Sequence, residues 1–214
     1  MGKREENRRL RFEAIHRHSF QIIDEEGVEG LTIQRLAREM SWALGAVYRY
    51  YPSKEALLAA LEHEAVGLVM DFLLREEETT TDPLEAIRML AARYADLPEQ
   101  LPQEFALVCL MLGDPRPHLP LEEAEKVMGA VMPFLNRVAS LFRQGQELGL
   151  LQDMEPMDAT LVYWMSVHGN TLIDKLDRFD ATLFSRKRLI PLTVDTLLKG
   201  WSRTSRQPTE LKGE

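Results

Sequence analysis

The stretch from Leu31 to Leu61, LTIQRLAREMSWALGAVYRYYPSKEALLAAL, contains two short helical patterns with almost nothing between them. The apolar face of the first pattern repeats at helical spacing: Ile33, Leu36, Ala37 and Met40. Thr32 is a natural N-cap for it, and a second helix begins by Ala43, so Met40-Ser41-Trp42 forms the turn. Two helices held at a steep angle by a short turn can place one in the major groove of DNA. The stretch therefore predicts a helix-turn-helix.

The second helix of this pair has an unusual outward face. Val47 and Tyr51 are predicted to pack inward, and six residues face more or less outward: Leu44, Gly45, Ala46, Tyr48, Arg49 and Tyr50. A tyrosine hydroxyl can donate a hydrogen bond to a phosphate oxygen while its ring packs against sugar and thymine methyl groups. An αα-hairpin whose tyrosines pack against a neighbouring helix fits the same periodicity equally well, and both interpretations stay open here.

The bulk composition is that of an ordinary globular protein, with 214 residues, 45% apolar and 28% charged. One cysteine, Cys109, excludes an intramolecular disulfide and a cysteine-based zinc site within the chain. No apolar run approaches the roughly 20 residues that cross a bilayer, and the first residues lack the apolar segment of a secretory signal. We expect a soluble, cytoplasmic protein that needs no metal or cofactor.

The charge is unevenly distributed along the chain. The net charge is −8, but residues 1–60 carry ten Lys or Arg against nine Asp or Glu, and the first 17 residues carry six against three. A basic arm ahead of an acidic body suggests that the N-terminal part faces a polyanion. A frayed, solvated terminus is the plainer explanation of the same charges.

Helical periodicity continues over nearly the whole chain, so we predict an all-α protein. The first helix should cover about residues 5–26 and stop at Gly27, and Asp82-Pro83 with Glu85 should cap a fifth helix as a capping box. Long helices are predicted over about residues 121–148, 156–176 and 183–201. The domain organisation follows: a helix-turn-helix domain with its basic arm over residues 1–53, a larger helical regulatory and dimerisation domain over 54–203, and a disordered tail over 204–214.

The first quarter of the chain resembles the DNA-binding domain of TetR-family transcriptional regulators. Its motif residues have that family's order and spacing: Ile22-Ile23, Glu25, Gly27, Thr32, Leu36-Ala37, Gly45, Tyr48, Tyr50-Tyr51 and Lys54-Glu55. Three features depart from the family pattern. Ser41-Trp42-Ala43 replaces the usual Gly-Val-Ser, Ala46 replaces a Thr that often touches DNA, and Arg35 occupies a place that is usually acidic. These changes suggest an unusual operator, read to a larger extent by Gln34, Arg35 and Arg49.

The resemblance implies binding to double-stranded operator DNA. It places phosphate contacts on Thr32, Tyr48, Tyr50 and Lys54, and base contacts on Gln34, Leu44, Gly45 and Ala46. The basic arm should add phosphate affinity through Lys3, Arg4, Arg8 and Arg9.

The rest of the chain resembles the family in layout more than in residues. The resemblance implies a homodimer through the last two long helices, about Met157 to Leu176 and Leu183 to Trp201, with Thr193 and Gly200 among the small residues of the face. It also implies a small-molecule effector, mostly apolar, between the fifth and eighth helices. The predicted ligand-binding residues are flexible or aromatic: Met89, Tyr94, Phe105, Cys109, Met128, Met132, Trp164 and His168. Core packing explains most of them individually.

Catalysis is not expected from this sequence. His63-Glu64 would need a second histidine where Gly67 stands to form a zinc-protease motif, and no nucleophile elbow or Walker loop is present. The expected function is therefore a ligand-responsive transcriptional regulator, most simply a repressor. A helical ligand-binding or adaptor protein with a degenerate DNA-binding head is the alternative.

Overall fold

The structure, a computed structural model, describes residues 2–75, 80–113, 117 and 119–203; the predicted disordered tail lies outside these residues. Within them the protein is all-α, as predicted, and its extended pairing is limited to an isolated bridge between Leu151 and Ser202. The helices are α1 (Lys3–Gly30), α2 (Ile33–Glu39), α3 (Leu44–Tyr48), α4 (Lys54–Leu74), α5 (Pro83–Gln100), α6 (Pro102–Gly113), α7 (Leu121–Glu147), α8 (Pro156–Thr171) and α9 (Arg186–Trp201). A 3₁₀ helix, Leu172–Leu176, follows α8.

The N-terminal helices follow local signals in the sequence. The backbone of α1 is interrupted at Gly27, whose φ of 73° lies in the left-handed region, as the predicted helix stop requires. The Thr32 hydroxyl accepts the Arg35 backbone N–H at 3.0 Å, which confirms its role as the N-cap of α2. Ala43 precedes α3 without a side-chain cap.

The turn between α2 and α3 closes through the backbone. The Trp42 N–H donates to the carbonyl of Ala37 at 2.9 Å, and Ser41 adopts a φ of 54°. Ser41 is the one non-glycine residue with a positive φ in the part of the chain that the structure describes. The turn therefore needs a left-handed residue where the family pattern usually has glycine.

Some predicted helix ends differ from the structure. Asp82 caps α5 by accepting the Leu84 N–H at 2.9 Å. Its own N–H donates to the hydroxyl of Thr80 and not to the carboxylate of Glu85, so the predicted capping box is wrong in its second bond. The eighth helix tightens into 3₁₀ geometry after Thr171. The ninth begins only at Arg186, because the carboxylate of Asp180 accepts the N–H groups of Thr182 and Leu183 and forms a turn there.

The chain divides into two compact units. The first comprises Met1–Leu74 with Leu97–Met132, and in it α6 packs against both α1 and α4 while α2 packs against α1 and α3. Its core contains fully buried side chains from each of these helices: Ile15, Ile22, Leu36, Val47, Leu57, Leu61 and Leu107. The segment that follows the predicted DNA-binding helices is thus part of the same core.

The second unit comprises Arg75–Asp96 with Pro133–Glu214, and α8 packs against α9 within it. Phe142 is fully buried and packs edge-on against the rings of Tyr163 and Trp201. Gly145 allows a close approach, since a Cβ there would lie 2.9 Å from the side chain of Leu151. No helix among the described residues is both long enough and apolar enough to cross a membrane.

Candidate DNA-binding surface and ligand-binding residues

The α3 helix has one buried face and one exposed face, as predicted. Val47 is fully buried and Tyr51 is 7% exposed, whereas Leu44 is 39% and Tyr48 47% exposed. A Cβ added to Gly45 would meet no atom within 4 Å, so the fold itself leaves this position open. An exposed leucine, glycine and tyrosine on one short helix form a surface that the rest of the first unit does not cover.

The two outward tyrosines have different environments. Tyr50 packs edge-on against Phe12 of α1, with ring centroids 5.0 Å apart, and lies 6.1 Å from the ring of Trp42. Tyr48 remains exposed to solvent. The packing alternative raised by the periodicity is therefore correct for the ring of Tyr50, while Tyr48 is free to contact a partner.

A chain of hydrogen bonds connects α1, α4 and Tyr51, which follows α3 in the sequence. The imidazole of His16 contacts the Glu64 carboxylate through Nδ1 and the Tyr51 hydroxyl through Nε2, the latter at 2.5 Å. Burial, followed by the charge of Glu64, raises the pKa of Tyr51 to about 12. The tyrosine therefore stays neutral at ordinary pH and fixes the end of α3 against α1.

Arg35 is engaged within the protein. Its guanidinium donates to Glu26, at 3.1 Å from Nη2, and also to Glu39. The hydrogen bond to Arg35 lowers the pKa of Glu39, and the bonds to Glu39 and Glu26 raise the pKa of Arg35. This explains how a cation is accommodated near the start of α2, where it opposes the helix dipole. Contact with DNA would require Arg35 to exchange these partners.

The remaining predicted DNA contacts are accessible to different extents. Thr32, Gln34 and Arg49 are exposed, Ala46 is half-buried, and Lys54 lies 3.8 Å from the exposed carboxylate of Glu29. The basic arm is helical from Lys3 onward, and the side chains of Lys3 and Arg4 lie outside the description. Arg9 pairs with Glu13 at 2.6 Å, and the guanidinium of Arg8 lies 5.5 Å from the centre of the Phe12 ring.

Sequence reasoning missed Arg11 as a member of this surface. Its guanidinium lies 5.9 Å from the centre of the Trp42 ring and donates to the Tyr50 hydroxyl at 3.4 Å. The only local signal was a basic residue one turn after Arg8. Its aromatic partners are more than thirty residues away in the sequence, so no helical period relates them.

The predicted ligand-binding residues divide between the two units. Phe105, Cys109, Met128 and Met132 lie in the first unit, and Met89, Tyr94, Trp164 and His168 lie in the second. Phe105 is buried and Cys109 half-buried on α6, whereas Met128 is 52% exposed.

In the second unit, Tyr94 and His168 are brought together. The Tyr94 hydroxyl and His168 Nδ1 are 2.8 Å apart, and both side chains are buried. Trp164 lies beside His168, with ring centroids 6.3 Å apart, and its buried indole Nε1 has no hydrogen-bond partner among the residues that the structure describes. Burial lowers the pKa of His168, so its imidazole is kept neutral.

The α8 and α9 helices carry an exposed apolar surface in the second unit. Large apolar side chains more than 40% exposed lie on both helices and on the residue after α8: Leu161, Val162, Met165, Leu172 and Leu192. Gly200 near the end of α9 is exposed, and a Cβ there would meet no atom within 4 Å. Clustered exposed apolar side chains are typical of surfaces that another protein covers, and three of these five lie within one turn of α8.

Comparison with known proteins finds a family match for the N-terminal segment. The model described as "Bacterial regulatory proteins, tetR family" matches residues 17–61, which include α2, α3 and the turn between them. The N-terminal segment of the chain thus matches the tetR family of bacterial regulatory proteins. Over 75 residues it is 35% identical to the nucleoid occlusion factor SlmA of Actinobacillus pleuropneumoniae, a match that covers 33% of this chain and only 37% of that relative.

Solved structures of other regulators have the same fold over most of the chain. The regulator FadR from Bacillus subtilis, solved in complex with stearoyl-CoA, is 16% identical with a TM-score of 0.70, over 88% of this chain and 98% of that one. SmeT, the repressor of the Stenotrophomonas maltophilia multidrug efflux pump SmeDEF, is 19% identical with a TM-score of 0.66, over 91% of both chains. At these identities the likeness concerns the fold alone.

Proposed function

We propose that this TetR-family protein is a homodimeric transcriptional regulator, a repressor that a small and mostly apolar molecule releases from double-stranded operator DNA. DNA binding is assigned to residues 1–53, and ligand binding and dimerisation to residues 54–203. The observation that carries the DNA-binding role is the uncovered face of α3, with Leu44, Gly45 and Tyr48 on it.

Gly45 is the most informative residue of that face. Glycine within a helix costs about 1 kcal/mol relative to alanine, and the fold has room for a Cβ at this position. The fold therefore gives no reason for glycine, whereas a DNA duplex approaching the helix closely does.

Binding to the DNA upstream of its own gene tests this role. We expect the protein to bind that duplex more tightly than a shuffled duplex of the same composition, in a gel-shift or fluorescence-anisotropy titration. Tyr48→Phe removes only an exposed hydroxyl and should weaken binding to both duplexes without changing the thermal unfolding of the protein. Equal binding to the two duplexes would refute specific recognition of this operator, and binding to neither would favour an adaptor protein whose DNA-binding head no longer functions.

Dimerisation through α8 and α9 is supported by their exposed apolar side chains. Gly200→Glu is a suitable test, because a Cβ there meets no atom of the described residues within 4 Å. Thr193 is less suitable, because its hydroxyl accepts a hydrogen bond from Asn170 at 3.0 Å. We expect Gly200→Glu to yield monomers by light scattering, while Gly129→Glu on α7, where a Cβ is equally unhindered, keeps the mass of the parent protein. Dimers of Gly200→Glu would place the interface elsewhere.

The route from ligand to DNA is proposed to pass through α6. Phe105 and Cys109, both predicted ligand residues, lie on α6, which packs against α1 and α4 in the first unit. A ligand that displaces α6 thus acts on the helices that support α3. Two heads of a dimer fit successive major grooves only at a separation of about 34–36 Å or a multiple of it, so a small displacement lowers DNA affinity.

Linkage provides the test of this mechanism. If the ligand weakens DNA binding, then DNA must weaken ligand binding by the same factor, and a coupling of about 1–3 kcal/mol is typical. Because the structurally similar FadR was solved with stearoyl-CoA, long-chain acyl thioesters are the first ligands to screen by thermal shift. A ligand found in this way should bind less tightly when operator DNA is present, and equal affinities in both titrations would refute the release mechanism.

A further inference from the structure

The guanidinium of Arg11 is held beside both ends of α3. It lies 5.9 Å from the centre of the Trp42 ring, two residues before α3 begins, and donates to the hydroxyl of Tyr50, two residues after α3 ends. Tyr50 is itself held in place by its edge-on contact with Phe12. The cationic side chain of Arg11, from α1, is thereby held on the same surface as α3.

This arginine retains most of its hydrogen-bonding capacity. A guanidinium has five N–H donors, and among the described residues its one acceptor is the Tyr50 hydroxyl. Arg9 and Arg35, by contrast, are paired with carboxylates. Arg11 is exposed and Trp42 is half-buried. The charge of Arg11 is therefore positioned by aromatic rings without being neutralised.

The N-terminal end of α3 has no side-chain donor of its own at Ala43 for a phosphate. Ala43 precedes α3, makes no side-chain cap and has no hydroxyl to donate to a phosphate. Phosphate contacts orient a helix-turn-helix on the duplex, and they come from residues that flank the recognition helix as well as from the helix itself. Arg11 can supply such a contact with a geometry that suits a phosphate, since its planar fork binds two oxygens at once.

We propose that Arg11, held by Trp42 and Tyr50, binds a backbone phosphate of the operator and is a further DNA-contacting residue of this protein. Trp42 is the positioning residue: its ring holds the guanidinium in place before DNA arrives. The inference rests on the proposed DNA-binding function. It differs from the role of the basic arm, because a preorganised contact loses less conformational freedom on binding than a mobile one.

A double-mutant cycle tests the proposal in the full-length protein. Arg11→Gln should weaken binding to the upstream duplex and to a shuffled duplex about tenfold each, since one ionic hydrogen-bonded contact is lost in each head. It should also reduce the slope of log affinity against log salt concentration by about 1.8 for a dimer, at about 0.9 for each phosphate. Arg11→Lys keeps the charge without the planar fork and should recover the slope but only part of the affinity.

The role of Trp42 has its own readout. Trp42→Val removes the ring and should weaken binding about two- to fivefold in the parent protein but not in the Arg11→Gln background, because the ring acts through the arginine. An equal loss in both backgrounds would show that Trp42 contacts DNA independently of Arg11 and would overturn the positioning role. Thermal unfolding of each variant is measured alongside. If Arg11→Gln lowers the melting temperature it is replaced by Arg11→Met, and if Trp42→Val does so it is replaced by Trp42→Leu.

Arg17→Gln is the matched control. It removes the same charge from a different face of α1 and should leave the affinity within about twofold and the salt slope unchanged. If Arg11→Gln behaves like Arg17→Gln, the proposed phosphate contact is wrong although the protein binds DNA. If the parent protein binds neither duplex at low salt, the DNA-binding function itself is refuted.

Discussion

Replacing Ser41 with glycine should stabilise the protein. Ser41 has a φ of 54°, and the left-handed conformation costs an L-residue about 1–2 kcal/mol. Glycine avoids that strain but loses about 0.5–1 kcal/mol more backbone entropy on folding. The difference predicts a gain of about 0.5–1 kcal/mol in the free energy of unfolding for Ser41→Gly. For a chain of this length, 1 kcal/mol corresponds to about 2–4 °C in melting temperature.

Ser41→Ala is the control that isolates the backbone effect. Alanine keeps the Cβ and removes an exposed hydroxyl, so its free energy of unfolding should lie within about 0.5 kcal/mol of the parent value. Gly27→Ala is the opposite experiment: a Cβ there meets no described atom within 4 Å, so a loss of about 1–3 kcal/mol would come from its backbone conformation, with φ of 73° and ψ of 177°.

Urea unfolding followed by far-UV circular dichroism measures these differences, provided that the slope with denaturant stays constant. The reasoning is refuted if Ser41→Gly is no more stable than Ser41→Ala. In that case the turn between α2 and α3 would not be strained, and the serine that replaces the usual glycine would be neutral for folding.

Other positions give separate tests. Gly45→Ala should raise the stability of the protein by up to about 1 kcal/mol while weakening operator binding, and unaltered DNA affinity would show that DNA does not approach this residue closely. Burial lowers the pKa of His168 below its usual 6.5, so the native state resists protonation that the unfolded chain accepts, and stability should fall as the pH drops below about 6.5. His168→Gln should remove that component in unfolding experiments between about pH 8 and 5, and an identical pH dependence in both proteins would contradict the assignment. The pKa of Tyr51 is raised from 10 to about 12, so its contribution to stability is present below pH 10 and is lost as the pH rises to about 12. Tyr51→Phe should lack this alkaline loss in thermal unfolding, and a loss as large as that of the parent would assign it to other groups.

Local chemistry made the helices predictable from the sequence. Thr32 as a cap, Gly27 as a stop and Asp82 before Pro83 act on backbone groups within a few residues, and each works in the structure as its residue type requires. The buried face of α3 was equally predictable, because periodicity alone determines that Val47 faces inward.

Contacts between distant helices were not predictable in the same way. Arg11 and Tyr50 are 39 residues apart, Tyr94 and His168 are 74 apart, and such pairs depend on how helices pack. Arg35 illustrates the consequence: the sequence presented it as a free cation for DNA, while α1 and α2 supply it with two carboxylates. The helical period of a sequence indicates on which face of a helix a charged residue lies, but not which residue of another helix pairs with it.

The placement of the tryptophans gives the protein a spectroscopic reporter. Of its three tryptophans, Trp42 lies in the first unit beside Arg11 and Tyr50, whereas Trp164 and Trp201 lie in the second. Replacing the latter two with phenylalanine would leave an intrinsic fluorophore at the turn between α2 and α3. Its emission could then follow events at the DNA-binding head in real time, without an attached dye and without labelling the DNA.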